Sequence, residues 1–301
     1  MSPRVPRRRV DGVLLLDKPD GLSSNAALQR AKRLYAAQKA GHTGTLDPLA
    51  TGLLPIAFGE ATKLAHALLD APKAYEAVVR FGSATETGDA EGAVVRTLPP
   101  PGDRGSVEAA LARFVGPIVQ TPPRHSALKH QGRAYYEWAR AGVEVPRRPR
   151  EVVIHSLSLR EWRPPDLVVE VSCSKGTYIR VLAEDLGAAA GSCAHLASLR
   201  RTATGGFRID DAVSLDDLEA MSPSARDARL LPAEVLVADL PRLELGGSLA
   251  GRFRHGGAVP APESVPGRIA VFADSRFAGL AEVRDGLAHP ARLVAVETVS
   301  G

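Results

Sequence analysis

Short apolar runs and amphipathic stretches take turns along the chain, the pattern of a mixed α/β protein. Val10 to Leu16 reads as a buried strand, closed by the polar turn Asp17-Lys18-Pro19-Asp20-Gly21. Ser23 or Ser24 can cap a helix running to about Gln38, in which Ala27, Leu28, Ala31, Leu34 and Tyr35 recur at helical spacing. Leu53 to Phe58 predicts a short strand, Glu60 to Leu69 a helix, and Ala74 to Phe81 an alternating strand. Ser106 to Phe114 predicts a capped amphipathic helix. Val152 to Trp162 and Leu167 to Cys173 look like paired strands, followed by a helix through Leu182 and Leu186. Beyond Thr204-Gly205-Gly206-Phe207 come a short acidic helix at Ser214 to Met221 and a connector from Pro223 to Leu240. An Arg-rich turn at Arg252 to His255 follows, with strands near Ile269 to Ala273, Gly279 to Val283 and Leu293 to Val296.

Composition narrows the class. At 301 residues, with 45% hydrophobic and 24% charged positions, the chain has enough material for a sizeable core and for two domains. No apolar run approaches the ~20 residues of a membrane helix. The run Val13 to Leu16 behind Arg7-Arg8-Arg9 is too short for a signal peptide, so a cytoplasmic location is expected. Cys173 and Cys193 are the only cysteines and form no CxxC pair. Neither a disulfide framework nor a structural zinc is expected, and both thiols read as small buried hydrophobes. Charge is uneven: residues 210–301 carry 14 acids against 9 arginines, leaving the first 209 residues basic. A basic face suits a polyanionic partner.

Candidate chemistry concentrates in Gly41-His42-Thr43-Gly44-Thr45-Leu46-Asp47-Pro48-Leu49-Ala50-Thr51-Gly52-Leu53-Leu54. Gly41, Gly44 and Gly52 allow positive φ or close backbone approach, and Pro48 fixes φ and steers Asp47 out of the α region. An Asp-Pro pair by itself merely starts a turn. A second run, Cys173-Ser174-Lys175-Gly176-Thr177-Tyr178-Ile179-Arg180, sets Tyr178 and Arg180 two apart, on one face if the backbone is still extended there. Between them, residues 120–140 interleave basic and aromatic side chains, a mix that suits RNA phosphates and bases. Tyr136 and Trp138 are expected also to pack a helix against the sheet, the two roles falling on different faces. The acidic turn Thr85 to Gly92 lacks the spacing and terminal Glu of an EF-hand, so no metal is expected.

These runs together resemble the TruB family, the bacterial tRNA pseudouridine synthases acting on uridine 55. The match covers roughly residues 10–209 through the Lys18-Pro19 element, the His42…Asp47 loop, and Pro123, Ser126, Ala127, Leu128, Lys129, Gly132, Tyr136, Ala139 and Arg140. It continues through the Lys175-to-Arg180 run and Leu199-Arg200-Arg201. The resemblance implies the pseudouridine synthase fold, a mixed, mostly antiparallel sheet flanked by helices, plus a small C-terminal PUA-like β-barrel. It implies a disordered basic tail at 1–9, a catalytic domain at 10–209, a connector at 210–240 and an RNA-binding module at 241–301.

It further implies Asp47 as nucleophile, Arg180 as its counter-ion, and Tyr75 stacked on the target base with a hydroxyl able to assist proton movement. His42 would be the wedge replacing the extruded base, Tyr178 and Leu199 would line the uridine pocket, and Lys18, in a Lys-Pro element that supports the active-site loop, would join in substrate binding. The guanidinium would lower the Asp47 pKa against desolvation. The reaction is a redox-neutral isomerisation needing no metal or cofactor. The route stays open among attack at C6, attack at C1′ and a glycal. Related archaeal and eukaryotic synthases work with guide RNAs and partner proteins; the continuous bacterial-type run favours a stand-alone monomer on the tRNA T-arm. Two other readings remain: an RNA-binding or RNA-refolding protein with catalysis secondary or lost, and an Asp/His hydrolase, for which the chain has no G-x-S-x-G elbow.

Overall fold

The computed structural model describes residues 6–126, 128–262 and 267–295. Ala127 and the end of the strand expected at Leu293 to Val296 lie outside these residues. The first half of the chain forms β1 (Gly12–Lys18), α1 (Ser24–Leu34), β2 (Ala40–His42), β3 (Ala50–Phe58), α2 (His66–Asp70), β4 (Lys73–Phe81), β5 (Ser83–Thr85), β6 (Val94–Thr97), α3 (Arg104–Ala112) and β7 (Gly116–Gln120). A small hairpin, β8 (Lys129–His130) with β9 (Arg133–Ala134), leads into α4 (Tyr135–Arg140). Then come β10 (Arg150–Arg163), β11 (Asp166–Cys173), α5 (Ile179–Ala189), β12 (Ala194–Thr204), β13 (Phe207–Arg208), β14 (Val213–Ser214), α6 (Leu215–Ala220) and α7 (Pro223–Asp227).

One ten-stranded, mostly antiparallel sheet runs β14-β1-β3-β12-β4-β11-β10-β7, with β2 added to β3 and β13 to β12. Its centre matters most. β12 lies between β3 and β4, parallel to the first and antiparallel to the second, so that Arg201 stands opposite Gly52 on one side and Tyr75 on the other. Apolar positions of β1, β3, β4, β11 and β12 meet α1, α5 and α6 in the main core, with Leu14, Leu16, Leu54, Ile56, Phe58 and Leu196 sealed from solvent.

The remaining chain forms β15 (Arg242–Leu245), α8 (Gly247–Arg254), β16 (Val259–Pro260), β17 (Gly267–Ala273), β18 (Arg276–Arg284) and β19 (Leu287–Leu293). Its sheet, in the order β15-β17-β18-β19-β16, is the small C-terminal β-module the resemblance implied; the order is open, so the barrel is partial. It is not an independent bead. Ala270, Phe272, Phe277 and Leu280 share a core with Val13, Leu15, Leu53 and Leu68 through Leu236 and Val237. The stretch read as a connector therefore carries α7, a 3₁₀ turn at Ala233–Val237 and buried side chains.

Several elements differ from the expectation. The helix expected to reach Gln38 stops at Leu34, because Ala36 takes φ 48° and residues 36–38 pair with Arg8: Arg8 N donates to Ala36 O at 2.7 Å and Gln38 N to Arg8 O at 3.1 Å. Arg8 also donates to the Asp227 carboxylate at 2.8 Å, so this part of the arginine arm is docked rather than trailing. The helix expected at Glu60 to Leu69 is a 3₁₀ turn, Gly59–Lys63, followed by the one-turn α2. Bonds from Leu64 N to Ala61 O and from Ala67 N to Leu64 O tighten the chain between them. Asp103, not Ser106, caps α3, accepting from Ser106 N at 2.9 Å. The turn expected at Arg252 to His255 is the end of α8, whose Ala250 and Phe253 are buried at helical spacing.

Candidate active site

The Asp47 loop hangs between β2 and β3 and is tied down on three sides. Ser24, just inside α1, accepts from Leu46 N at 2.7 Å and donates to Leu46 O at 3.0 Å. Thr43 N donates to Pro55 O at 3.0 Å. Ala50 N donates to Asp47 O at 3.1 Å, so Asp47 opens a β-turn with Pro48 in its second position, where a fixed φ is favoured. The plain turn chemistry and the aimed carboxylate are both present. Gly44 and Gly52 have φ of +87° and +100°; Gly41 lies in β2 with no such requirement.

Arg180, in the first turn of α5, reaches Asp47 with Nε–Oδ2 at 3.0 Å. It is 5% exposed while the Asp47 side chain keeps 37%, so the carboxylate faces an open cleft and the guanidinium backs it. The other nitrogens of Arg180 donate to Thr87 O at 3.1 Å and His125 O at 2.8 Å, and Nη1 stands 3.5 Å from the buried Asp89 carboxylate. In the sequence, Asp89 is one of three acids in the turn Thr85 to Gly92 and carries no signal of its own. Its burial was not visible from residue types in a turn that reads as solvated.

Burial raises the Asp47 pKa, and Asp89 adds to the rise; Arg180 and Lys18 oppose it without cancelling it. The expected lowering is therefore reversed. The cause is the enclosure of the loop, with Arg180 shared between two carboxylates.

Tyr178 and Arg180 do not share an extended face. Tyr178 is the extended N-cap of α5 and Arg180 is already helical. They converge nonetheless, because both line a cavity of about 390 Å³ together with Asp47, Tyr75, Leu199 and Arg201. Gln120, itself buried, holds the Tyr178 backbone twice, accepting from its N at 3.0 Å and donating to its O at 3.2 Å. Tyr75 is half-buried on β4; burial raises its hydroxyl pKa, and the neighbouring Arg201 guanidinium pulls the other way.

His42 ends β2 and lines a second cavity of about 620 Å³ that meets the first at Asp47. Its pKa is lowered, by burial and then by Arg201. Lys18 supports the loop from behind. It is fully buried and does not line the cleft. Its ammonium donates to Pro19 O at 2.8 Å, Leu22 O at 2.6 Å and Pro48 O at 3.1 Å, clamping the Asp47-Pro48 turn from behind, and burial lowers its pKa to about 8. A substrate cannot reach it without breaking that clamp.

Tyr136 and Trp138 do not pack on the sheet either: α4 buries none of its residues. Instead Arg140 lies over the Tyr136 ring at 5.4 Å and Arg133 over Trp138 at 4.6 Å. Tyr136 and Arg140 line the larger cavity. Both cysteines are buried thiols, and burial raises Cys173 to about 11. Among the described residues no group of three or more His, Cys, Asp and Glu side chains could hold a metal, and no helix is long and apolar enough to cross a membrane.

What results is a carboxylate of raised proton affinity, backed by a buried guanidinium, in a cavity walled by two tyrosines and a leucine. Its volume suits a small planar ring.

Comparison with known proteins gives three consecutive family matches: the TruB family pseudouridylate synthase N-terminal domain over residues 32–179, the tRNA pseudouridylate synthase B C-terminal domain over 180–238, and the pseudouridine synthase II TruB C-terminal domain over 241–294. The chain is 53% identical over 300 residues to a Burkholderia mallei protein named tRNA pseudouridine synthase B, covering 97% of this chain and 96% of that one. It is 54% identical over 299 residues to a protein of the same name from Chromobacterium violaceum, with 98% of each covered. Among solved structures, Cbf5 in its complex with Nop10 and Gar1 matches at TM-score 0.71 and 27% identity, covering 95% of this chain and 84% of Cbf5. The archaeal Nop10–Cbf5 complex matches at TM-score 0.68 and 26% identity, covering 96% and 85%.

Proposed function

The chain belongs to the TruB family of pseudouridylate synthases, and from that membership we propose that it converts uridine 55 in the T-arm of tRNA to pseudouridine. The observation that carries this reading is the Asp47–Arg180 pair at 3.0 Å, set in a cavity walled by Tyr75, Tyr178 and Leu199. That is a nucleophile and its counter-ion beside two stacking surfaces of nucleobase size.

The reaction is an isomerisation. The N1–C1′ bond breaks, a C5–C1′ bond forms, and the hydrogen displaced from C5 is balanced by one gained at N1. No electron leaves and no co-reactant enters. Asp47 acts as the carboxylate that attacks the base or C1′, or that stabilises charge at C1′ while a glycal forms; in each route it must be ionised. Arg180 opposes the rise that burial imposes on the Asp47 pKa, and orients the carboxylate with a charge-assisted hydrogen bond. Tyr75 and Tyr178 hold the base in the cavity, with Leu199 filling its apolar edge, and the Tyr75 hydroxyl assists proton movement.

Uridine 55 is stacked inside a folded arm, so it must be extruded at a cost of a few kcal/mol. His42, at the rim beside Asp47, fills the vacated stack. The lowered pKa of His42 suits an imidazole that enters the stack neutral. The cation-bearing rings of Tyr136 and Trp138 and the basic first two-thirds of the chain provide the surface for the rest of the arm. The enzyme is taken to act without a partner protein, as the continuous bacterial-type run from Val10 through Arg201 favours, whereas Cbf5 was solved with Nop10 and Gar1.

The test is a pair of tRNA transcripts, one unmodified and one carrying cytidine at position 55. The first is converted and the second is bound but gives no pseudouridine. Conversion of another uridine in the second transcript would refute the position.

A further inference from the structure

Arg201 is the largest fully buried side chain described, 1% exposed. A guanidinium taken out of water is tolerated only when its donors are satisfied. Here the hydrogen-bond partners are two carbonyls, with a tyrosine as cross-strand neighbour. Nε donates to Leu53 O at 2.7 Å and Nη2 to Gly44 O at 3.3 Å, and Tyr75 is the neighbouring residue across the ladder.

Those partners are not a random set. Leu53 lies on β3, Gly44 lies three residues before Asp47 in its loop, and Tyr75 faces Arg201 directly across the β12–β4 ladder. One planar group therefore spans the strand that leaves the loop, the loop itself and the aromatic wall of the cleft. The backbone around it is close-packed: a Cβ at Gly52 would stand 2.3 Å from Arg201 O, so β3 and β12 meet without a side chain between them there, and Gly44, whose carbonyl accepts from the guanidinium, turns at φ +87°. An apolar residue could fill the volume. Only a rigid fork of donors can hold the two carbonyls at a fixed separation beside the tyrosine.

We infer that Arg201 is a positioning residue that locks the Asp47 loop and the Tyr75 ring into one rigid wall of the cleft, so that its loss slows the chemical step and leaves tRNA binding intact. This inference rests on the roles proposed above for Asp47 and Tyr75. A lysine at the site keeps a cation but offers a single nitrogen in place of the two that hold the separate carbonyls of Leu53 and Gly44. A glutamine keeps polarity and loses the fork.

The experiment compares wild type, Arg201→Lys and Arg201→Gln in single-turnover conversion of unmodified tRNA, in tRNA affinity, in melting temperature, and in amide hydrogen exchange over residues 43–47. Both variants are expected to bind tRNA within about 3-fold of wild type and to convert it about 10- to 100-fold more slowly, as a displacement of reacting groups by an ångström would do. Exchange in 43–47 rises in both, with the rest of the sheet unchanged. A variant with normal rate and normal exchange would overturn the inference. So would a rate loss that merely follows loss of tRNA affinity or of melting temperature, or failure of both variants to fold, since Arg201 would then be a folding residue only. Should wild type itself convert no uridine, the proposed function fails, and the exchange data still report on whether Arg201 holds the loop.

Discussion

Asp47 and Arg180 meet at 3.0 Å, yet the carboxyl binds its proton more tightly than an ordinary aspartate. Enclosure of the loop outweighs the cation, which also faces Asp89. Conversion should therefore lose rate in mild acid, at a pH above the ordinary aspartate value of 3.8, as Asp47 is protonated. A pH–rate profile under single-turnover conditions checks this. An acid limb at or below that ordinary value would contradict the raised affinity.

The same shift has a stability consequence. A raised folded-state pKa means that the ionised carboxylate weakens the fold. The stabilising contribution of the protonated form is complete below the unfolded value and is lost as pH rises through the folded one. Asp47→Asn should thus melt above wild type at neutral pH, and the gap should close in acid. Thermal melts at the two pH values measure it.

Arg180 should be costly to remove for a different reason. Truncation strands the Asp89 carboxylate and two carbonyls, those of Thr87 and His125, in a buried place. Arg180→Met should lose about 3–5 kcal/mol of stability, as breaking a buried pair typically does, along with turnover. Urea denaturation gives the number; a loss below about 1 kcal/mol, the range of surface pairs, would mean that Arg180 is not embedded as described.

Lys18 separates clamp from contact. Because all its donors serve carbonyls of the Asp47-Pro48 turn and its neighbours, Lys18→Met should slow turnover about 10-fold through a loosened loop while tRNA affinity stays nearly unchanged. Weaker tRNA binding with a normal rate for bound tRNA would restore the direct contact.

Gly52→Ala tests the sheet beneath the site. With φ at +100° and an added Cβ 2.3 Å from Arg201 O, the substitution should cost more than about 2 kcal/mol and disorder the β3–β12 pairing. A melting curve like that of wild type would show that β3 and β12 can part there without penalty.

How much of this was legible beforehand follows from the kind of signal each residue carries. Asp47, Tyr75, Tyr178, Arg180 and Leu199 are chemistry-bearing types inside recognisable runs, and the structure brings all five to one cavity. Strands β4, β10 and β11 announce themselves by apolar alternation. The early stop of α1 does not, because it depends on a tertiary partner: Arg8 pairs with residues 36–38. The directions of side chains were equally hidden. Lys18 beside a motif looks like a ligand contact until its carbonyl partners are seen, and Asp89 in a polar turn looks solvated until Arg180 is placed on it. Arg201, in a Leu-Arg-Arg run, reads like any basic residue. Only the register of β12 between β3 and β4 shows that it is sealed inside. The sign of the Asp47 shift also required distances, since burial and pairing oppose each other and composition cannot weigh them.

The central claim is that Asp47 carries a uridine isomerisation at one position of tRNA. The most direct measurement incubates an unmodified tRNA transcript with wild type and with Asp47→Asn, maps pseudouridine along the RNA, and records tRNA binding for both proteins. The account predicts pseudouridine at position 55 alone with wild type, none with Asp47→Asn, and comparable binding by the two. Full conversion by Asp47→Asn, or conversion by wild type only at other positions, would contradict it.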